Sequence, residues 1–146
     1  MKKKMNDAHL FKVAREWSMK ASYTGGGKPR LGCIVVYKNA ILAGGYNSDK
    51  THPAQEQFNR YRFKDIGNNY LPSKLHAELN ALNKIKFLDI DFSRVHIYIY
   101  RETRDGHVAN ARPCKACMAA LRAKGIVNIH YTTDAGYAAE RLLGGF

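Results

Sequence analysis

Long apolar runs, cysteines and acidic side chains are all scarce in this chain of 146 residues. No apolar run approaches the length that spans a bilayer, which argues against a membrane protein. No hydrophobic segment of signal-peptide type follows the basic start of the chain, so we expect a cytoplasmic protein. The three cysteines are an odd number, and two of them form a C-x-x-C pattern that is typical of metal binding rather than of a disulfide.

Acidic residues number only 12, against 24 lysines and arginines, and the formal net charge is +12. Such an excess favours an anionic partner, either a nucleotide phosphate or a nucleic acid, although it can also serve solubility alone. The length and the 45% hydrophobic content predict one folded domain that covers residues 1–146.

The hydrophobic pattern and the turn residues predict alternating helices and strands. In chain order these are a helix from Asn6 or Asp7 to about Ser22, a hairpin over 31–46 that turns at Lys38-Asn39, a long polar segment to residue 73, a helix capped by Ser73, a strand over 95–100, a helix from Pro113 to Lys124 and a strand over 127–132. This order predicts a three-layer α/β/α sandwich around a central mixed sheet. The tail, residues 137–146, fits either a helix or a fifth strand, and we favour the strand.

Two short motifs carry the chemistry: an H-x-E that begins at His76 and a P-C-x-x-C that ends at Cys117. Each is predicted to lie at the start of a helix, where the helix dipole favours thiolates. His76, Cys114 and Cys117 supply three zinc ligands and leave the fourth tetrahedral position for water, whereas a structural zinc site has four protein ligands. Glu78 is then a carboxylate beside the metal that is not a ligand, which is the arrangement expected of a zinc hydrolase.

These motifs resemble those of the cytidine and deoxycytidylate deaminase superfamily, and the likeness extends over roughly residues 31–133. The resemblance implies a cytidine-deaminase-like fold and the hydrolytic conversion of cytosine to uracil. In that reaction zinc lowers the pKa of its water toward about 7, and hydroxide attacks C4 of the base. Glu78 takes the proton of the water, delivers it to the ring nitrogen and later protonates the departing amine.

The resemblance also implies substrate contacts. Asn47 closes the second strand as deoxycytidylate deaminases close theirs, and there the asparagine contacts the sugar; the alternative is an ordinary turn residue. The backbone amide of Ala77 is implied as a partner of the base carbonyl. Arg112 departs from the family pattern, which has Glu before the Pro, and an arginine here could meet a phosphate bidentately. Small deaminases often assemble, so a homo-oligomer is compatible with the resemblance.

Three functions stay open on the sequence. The resemblance favours a free pyrimidine nucleotide or nucleoside as substrate. The run Arg60 to Lys64 interleaves basic and aromatic residues as single-strand binders do, so a deaminase of single-stranded DNA or RNA is the alternative. A non-catalytic, zinc-stabilised nucleic-acid-binding module is the third. His52 lies in the same polar segment and is interpreted as a loop residue rather than as a ligand of a second metal.

Overall fold

A mixed sheet of five strands organises the protein, whose computed structural model describes residues 5–21, 29–47, 76–103 and 105–142. The helices are α1 (Asp7–Ser18), α2 (Ala77–Ile85) and α3 (Lys115–Lys124), with a short 3₁₀ turn at Phe92–Arg94, and the strands are β1 (Arg30–Tyr37), β2 (Ala40–Tyr46), β3 (His96–Glu102), β4 (Asn128–Thr133) and β5 (Gly136–Arg141). Within the described ranges, no helix has both the length and the apolar character needed to cross a bilayer.

The strand order is β2-β1-β3-β4-β5, with β3 and β4 parallel and the other neighbours antiparallel. Side chains alternate between the two faces, as the pleat requires. On one face Ile34 and Tyr98 pack against α1. On the other face Val35 and Ile97 belong to a larger core that includes residues of α2 and α3. Helices therefore cover both faces, and the predicted α/β/α sandwich is confirmed.

The predicted hairpin turn at Lys38-Asn39 is present, and a second hairpin joins β4 to β5. Lys38 and Asn39 have φ values of 49° and 60°, the left-handed pair that a tight two-residue hairpin requires. In the tail, β5 pairs antiparallel with β4 from Thr133–Gly136 to Asn128–Arg141, so the strand alternative is confirmed up to Arg141. The edge strand of the sheet is consequently β5, which lies beside β4, the strand that follows α3 in the chain.

Glycine in β2 allows α2 to approach the sheet very closely. A Cβ placed on Gly45 would lie 2.5 Å from the amide nitrogen of Ala81 and 2.6 Å from the carbonyl oxygen of Ala77. Any side chain at this position would therefore push the first turn of α2 away from the strand. Glycine at position 45 therefore permits the short distance between the first turn of α2 and strand β2.

The helix boundaries differ from the prediction. The first helix ends at Ser18 rather than near Ser22. His76 is the N-cap of α2 and does not lie inside its first turn, and Cys114 is likewise the N-cap of α3, so Pro113 precedes the helix. The predicted cap Ser73, the run Arg60 to Lys64 and His52 lie outside the described residues.

Candidate metal centre and active site

The two helix starts on the larger core bring the predicted ligands together. His76 caps α2 with φ −80° and ψ 158°, and Cys114 caps α3 with φ −68° and ψ 168°. Both residues are thus extended, which turns their side chains out of the helices that follow. Cys117 lies three residues after Cys114, in the first turn of α3. One potential ligand atom from each of the three residues falls within 4.8 Å of the others.

The distances within this cluster suit a tetrahedral zinc ion. Nδ1 of His76 lies 3.6 Å from Sγ of Cys114 and 3.3 Å from Sγ of Cys117. A zinc ion with bonds of about 2.0–2.1 Å to nitrogen and about 2.3 Å to sulfur separates such ligand atoms by about 3.6 Å at the tetrahedral angle. The three side chains could therefore hold the ion with little movement. Three protein ligands would leave one of its four positions open.

The pair of thiols carries one negative charge more readily than an isolated thiol does, because one of the two pKa values is lowered. The pKa of Cys114 falls to about 4, first because the Cys117 thiol donates a hydrogen bond to it and also because His76 is close. The pKa of Cys117 rises for the reciprocal reason, together with its burial and the charge of Glu78. Without a metal, the pair thus retains one proton between the two sulfurs. A divalent cation can replace that proton and stabilise both thiolates.

Glu78 is enclosed beside the cluster without belonging to it. The residue is only 3% exposed, and its Oε1 is a buried atom with no hydrogen-bond partner in the described part of the chain. Burial raises the pKa of this carboxyl group, while the neighbouring His76 acts in the opposite direction. A buried oxygen of this kind is rare unless it serves a ligand or water. The carboxylate is thus placed to accept a proton from a molecule bound at the open metal position.

Cys33 stays apart from the metal centre. The residue is fully buried on β1, and burial followed by the charge of Glu78 raises the pKa of its thiol well above the ordinary value. Among the described residues, only His76, Cys114 and Cys117 form a cluster able to hold a metal. Cys33 is thus a small buried residue of the core.

Asn47 and Ala77, two of the predicted substrate contacts, differ in their surroundings. The Asn47 side chain accepts from the backbone N–H of Leu31 at 2.9 Å and donates to the carbonyl of Pro29 at 3.0 Å, so it fixes the start of β1. Its amide nitrogen carries a second hydrogen that a sugar hydroxyl could accept. Ala77 is fully buried at the first position of α2. Contacts of Asn47 and Ala77 with substrate stay predictions.

Arg112 has a protein partner that the sequence did not reveal. Its Nε and Nη2 donate to the two carboxylate oxygens of Glu140 on β5, at 2.7 and 3.2 Å. The Tyr131 hydroxyl donates to the same carboxylate at 2.7 Å. These two partners lower the pKa of Glu140, Arg112 being the larger cause. We call this arrangement of Arg112, Tyr131 and Glu140 the loop clasp, because it ties the segment before α3 to the end of the sheet.

The family of the protein follows from a comparison with known families. The family model described as the cytidine and deoxycytidylate deaminase zinc-binding region matches residues 4–133. This chain belongs to that family. The predicted cofactor, zinc, is confirmed by the match together with the His and Cys cluster. The predicted membership of the deaminase superfamily is confirmed as well.

Solved structures of other deaminases share the fold of this family member. A cytidine deaminase from Burkholderia pseudomallei has a TM-score of 0.64 at 15% identity, with 94% of each chain covered. The dCMP deaminase of cyanophage S-TIM5 in apo form has a TM-score of 0.56 at 21% identity, with 88% of this chain and 86% of that chain covered. At these identities the likeness establishes the fold alone. No curated protein matches the deaminase chain in sequence.

Proposed function

We propose that this deaminase-family protein hydrolyses cytosine to uracil and ammonia on a free pyrimidine nucleotide or nucleoside. The observation that carries the proposal is the buried Oε1 of Glu78, which has no hydrogen-bond partner among the described residues. Glu78 lies two residues after His76 and beside the Cys114 and Cys117 thiols. A structural metal site does not require such an oxygen, whereas proton transfer to a reacting base requires a free carboxylate of this kind. Family membership supports the same class of chemistry.

The proposed roles follow from the chemistry of each side chain. His76, Cys114 and Cys117 hold the metal ion. When bound, zinc lowers the pKa of a water molecule toward about 7 and so supplies a nucleophile at neutral pH. Glu78 accepts the proton of that water and delivers it to the ring nitrogen of the cytosine. The oxygen becomes a hydroxyl group on C4, and Glu78 then transfers the remaining hydroxyl proton to the amino nitrogen. The bond between C4 and that nitrogen breaks, the C4 carbonyl forms and ammonia leaves.

The substrate is proposed from likeness and from local polar groups. The structure of the cyanophage S-TIM5 enzyme described as a complex with dCMP and dUMP has a TM-score of 0.55 with this chain. Asn47 at the end of β2 is the proposed partner of the sugar, and the Ala77 amide is the proposed partner of the base carbonyl. Arg112 is a weaker candidate for the phosphate, because its guanidinium is already engaged by Glu140.

A second candidate function keeps the same chemistry but changes the substrate. The formal charge of +12 and the alternation of basic and aromatic residues from Arg60 to Lys64 favour cytosine within single-stranded DNA or RNA. Ionic strength separates the two candidates, because binding to several phosphates weakens steeply with salt, whereas a mononucleotide site responds less. The third candidate, a non-catalytic nucleic-acid-binding module, predicts no turnover at all.

The decisive experiment measures uracil and ammonia formation by the zinc-loaded protein. The substrates are cytidine, deoxycytidine, their monophosphates and a short cytosine-containing oligonucleotide. Glu78→Gln should lower turnover by about 10²–10⁴-fold or more while zinc content is retained, because the proton carrier alone is lost. Glu16→Gln, which removes an exposed carboxylate on α1, is the matched control and should keep full activity. Unchanged turnover in Glu78→Gln, or no turnover of any substrate by the unaltered protein, would refute the proposed function.

A further inference from the structure

A cavity lies on the face of the sheet that α1 covers, away from the metal centre. It has a volume of about 660 Å³ and opens between the start of α1, the β1–β2 turn and the first residues of β3. His96 and Tyr98 of β3 point into it, whereas the alternate residues Ile97 and Ile99 belong to the core beneath α2 and α3. Since α3 follows the opposite end of β3, the cavity and the metal centre are separate sites.

Two imidazoles form a fixed polar wall in this cavity. Nδ1 of His96 and Nε2 of His130 are 2.8 Å apart, so one ring donates a hydrogen bond to the other. The ring of Tyr98 stacks on His130 with centroids 4.2 Å apart and planes 3° from parallel. The Tyr98 hydroxyl donates to Asp7 at 3.0 Å. These contacts hold the wall in one arrangement before any ligand arrives, as is usual for a ligand site.

The charges around the cavity favour an anion. Lys38 in the β1–β2 turn and Arg94 before β3 are exposed and line the cavity, so two permanent positive charges stand at its rim. Among the described residues that line the cavity, the one carboxylate is that of Asp7, which accepts a hydrogen bond from Tyr98. Burial and the proximity of His96 lower the pKa of His130. An anion beside the two rings would offset the repulsion that opposes their protonation.

We propose that this cavity binds a small phosphomonoester, with the phosphate held by Lys38, Arg94 and the His96–His130 pair. A cavity of about 660 Å³ exceeds the space that a phosphate alone fills and lies in the range of about 300–1,000 Å³ for small-molecule sites. The ligand therefore carries an organic group, for which the side chains of Leu10 and Val36 provide apolar contacts. This site is additional to the proposed deamination site and does not depend on it.

Ribose 5-phosphate is a suitable probe because it is a phosphomonoester without a base. We expect saturable binding to the zinc-loaded full chain, with the ring signals of His96 and His130 shifting in NMR spectra as the probe is added. Unphosphorylated ribose should leave these signals unmoved. The variant Lys38→Asn/Arg94→Gln should weaken binding at least about tenfold, since two charge-assisted contacts are lost. Asparagine is chosen at position 38 because it tolerates the positive φ of that residue.

A charge-matched control separates a local site from the general field of a basic protein. Lys12→Gln/Arg141→Gln removes two exposed positive charges outside the cavity lining and should leave the affinity within about twofold, because screening limits distant charges. Equal weakening in both double variants would overturn the proposal, as would unmoved His96 and His130 signals. Complete displacement of the probe by saturating deoxycytidine would also overturn it, because the probe would then occupy the deamination site.

Discussion

The loop clasp gives a prediction whose size follows from its geometry. Arg112 and Glu140 meet through two hydrogen bonds, and their side chains are 52% and 32% exposed. Exposed ion pairs contribute about 0.2–1 kcal/mol, and the bidentate geometry with the added Tyr131 bond places this pair at the upper end. We therefore expect a coupling energy of about 1 kcal/mol between Arg112→Gln and Glu140→Gln at low salt.

Because Cys114 follows Arg112 by two residues, the clasp should also affect metal binding. Loss of about 1 kcal/mol of loop restraint corresponds to a zinc affinity roughly fivefold lower. Urea unfolding of the zinc-loaded protein, the two single variants and the double variant gives the coupling energy, and competition with a chelator gives the zinc affinity. The pKa of Glu140 lies below its ordinary value of about 4.3, so the contribution is present at neutral pH and is lost as the pH falls through the folded value.

The contact between Arg15 and Glu102 provides the control for this cycle. Its nitrogen and oxygen are 3.6 Å apart, too far for a good hydrogen bond, so Arg15→Gln and Glu102→Gln should couple more weakly and leave zinc affinity unchanged. A coupling energy of zero between Arg112 and Glu140 at low salt would refute the reasoning. If Arg112 instead serves the substrate phosphate, Arg112→Gln alone will raise the KM for dCMP while leaving that for deoxycytidine unchanged.

Two further predictions concern the sheet. Gly45→Ala should destabilise the protein by about 1–3 kcal/mol, because its Cβ would lie 2.5 Å from the Ala81 nitrogen; thermal unfolding measures this, and an unchanged Tm would contradict it. Since the pKa of His130 is lowered in the folded protein, the unfolded chain binds more protons below about pH 6.5, and stability should fall from that pH downward. His130→Asn should flatten this part of the stability curve measured by urea unfolding, and an identical curve would count against the assignment.

Local signals in the sequence predicted most of the fold. Lys38 and Asn39 sit between two apolar runs, and such a pair favours the tight turn that the structure contains. Gly125 lies just past α3 with φ 89°, the left-handed conformation that ends a helix and that glycine adopts readily. The His and Cys motifs were also local, since each belongs to a single helix start. Their meeting depends on the order of the strands in the sheet, which local patterns do not specify.

Long-range partners were beyond local patterns. Glu140 lies 28 residues after Arg112, in a tail that fitted either strand or helix, so no spacing rule connects the two. The start of α2 was misplaced because serine has a higher cap propensity than histidine, so the cap was predicted at Ser73 rather than at His76. The His96–His130 contact is also long-range and was missed because it depends on the parallel register of β3 and β4, which pairs Tyr98 with His130.

The N-caps of α2 and α3 lack the side-chain hydrogen bond that a helix start usually has. Asn6 caps α1 by accepting a hydrogen bond from the amide of His9 at 2.9 Å, but neither His76 nor Cys114 makes a side-chain cap bond. A missing cap costs about 0.5–2 kcal/mol, so α2 and α3 each begin with a local penalty. Local rules are most often broken at functional sites, and here both penalties fall on proposed ligands of one ion.

Zinc binding should offset these two penalties, because it fixes both caps at once. Removing zinc with a chelator should lower Tm by at least about 5 °C, and added zinc should restore it. Hydrogen exchange in the metal-free protein should accelerate at the first turns of α2 and α3, while the first turn of α1 stays protected. Equal loss of protection in α1 would contradict the argument, because α1 is capped by its own asparagine and contributes no ligand.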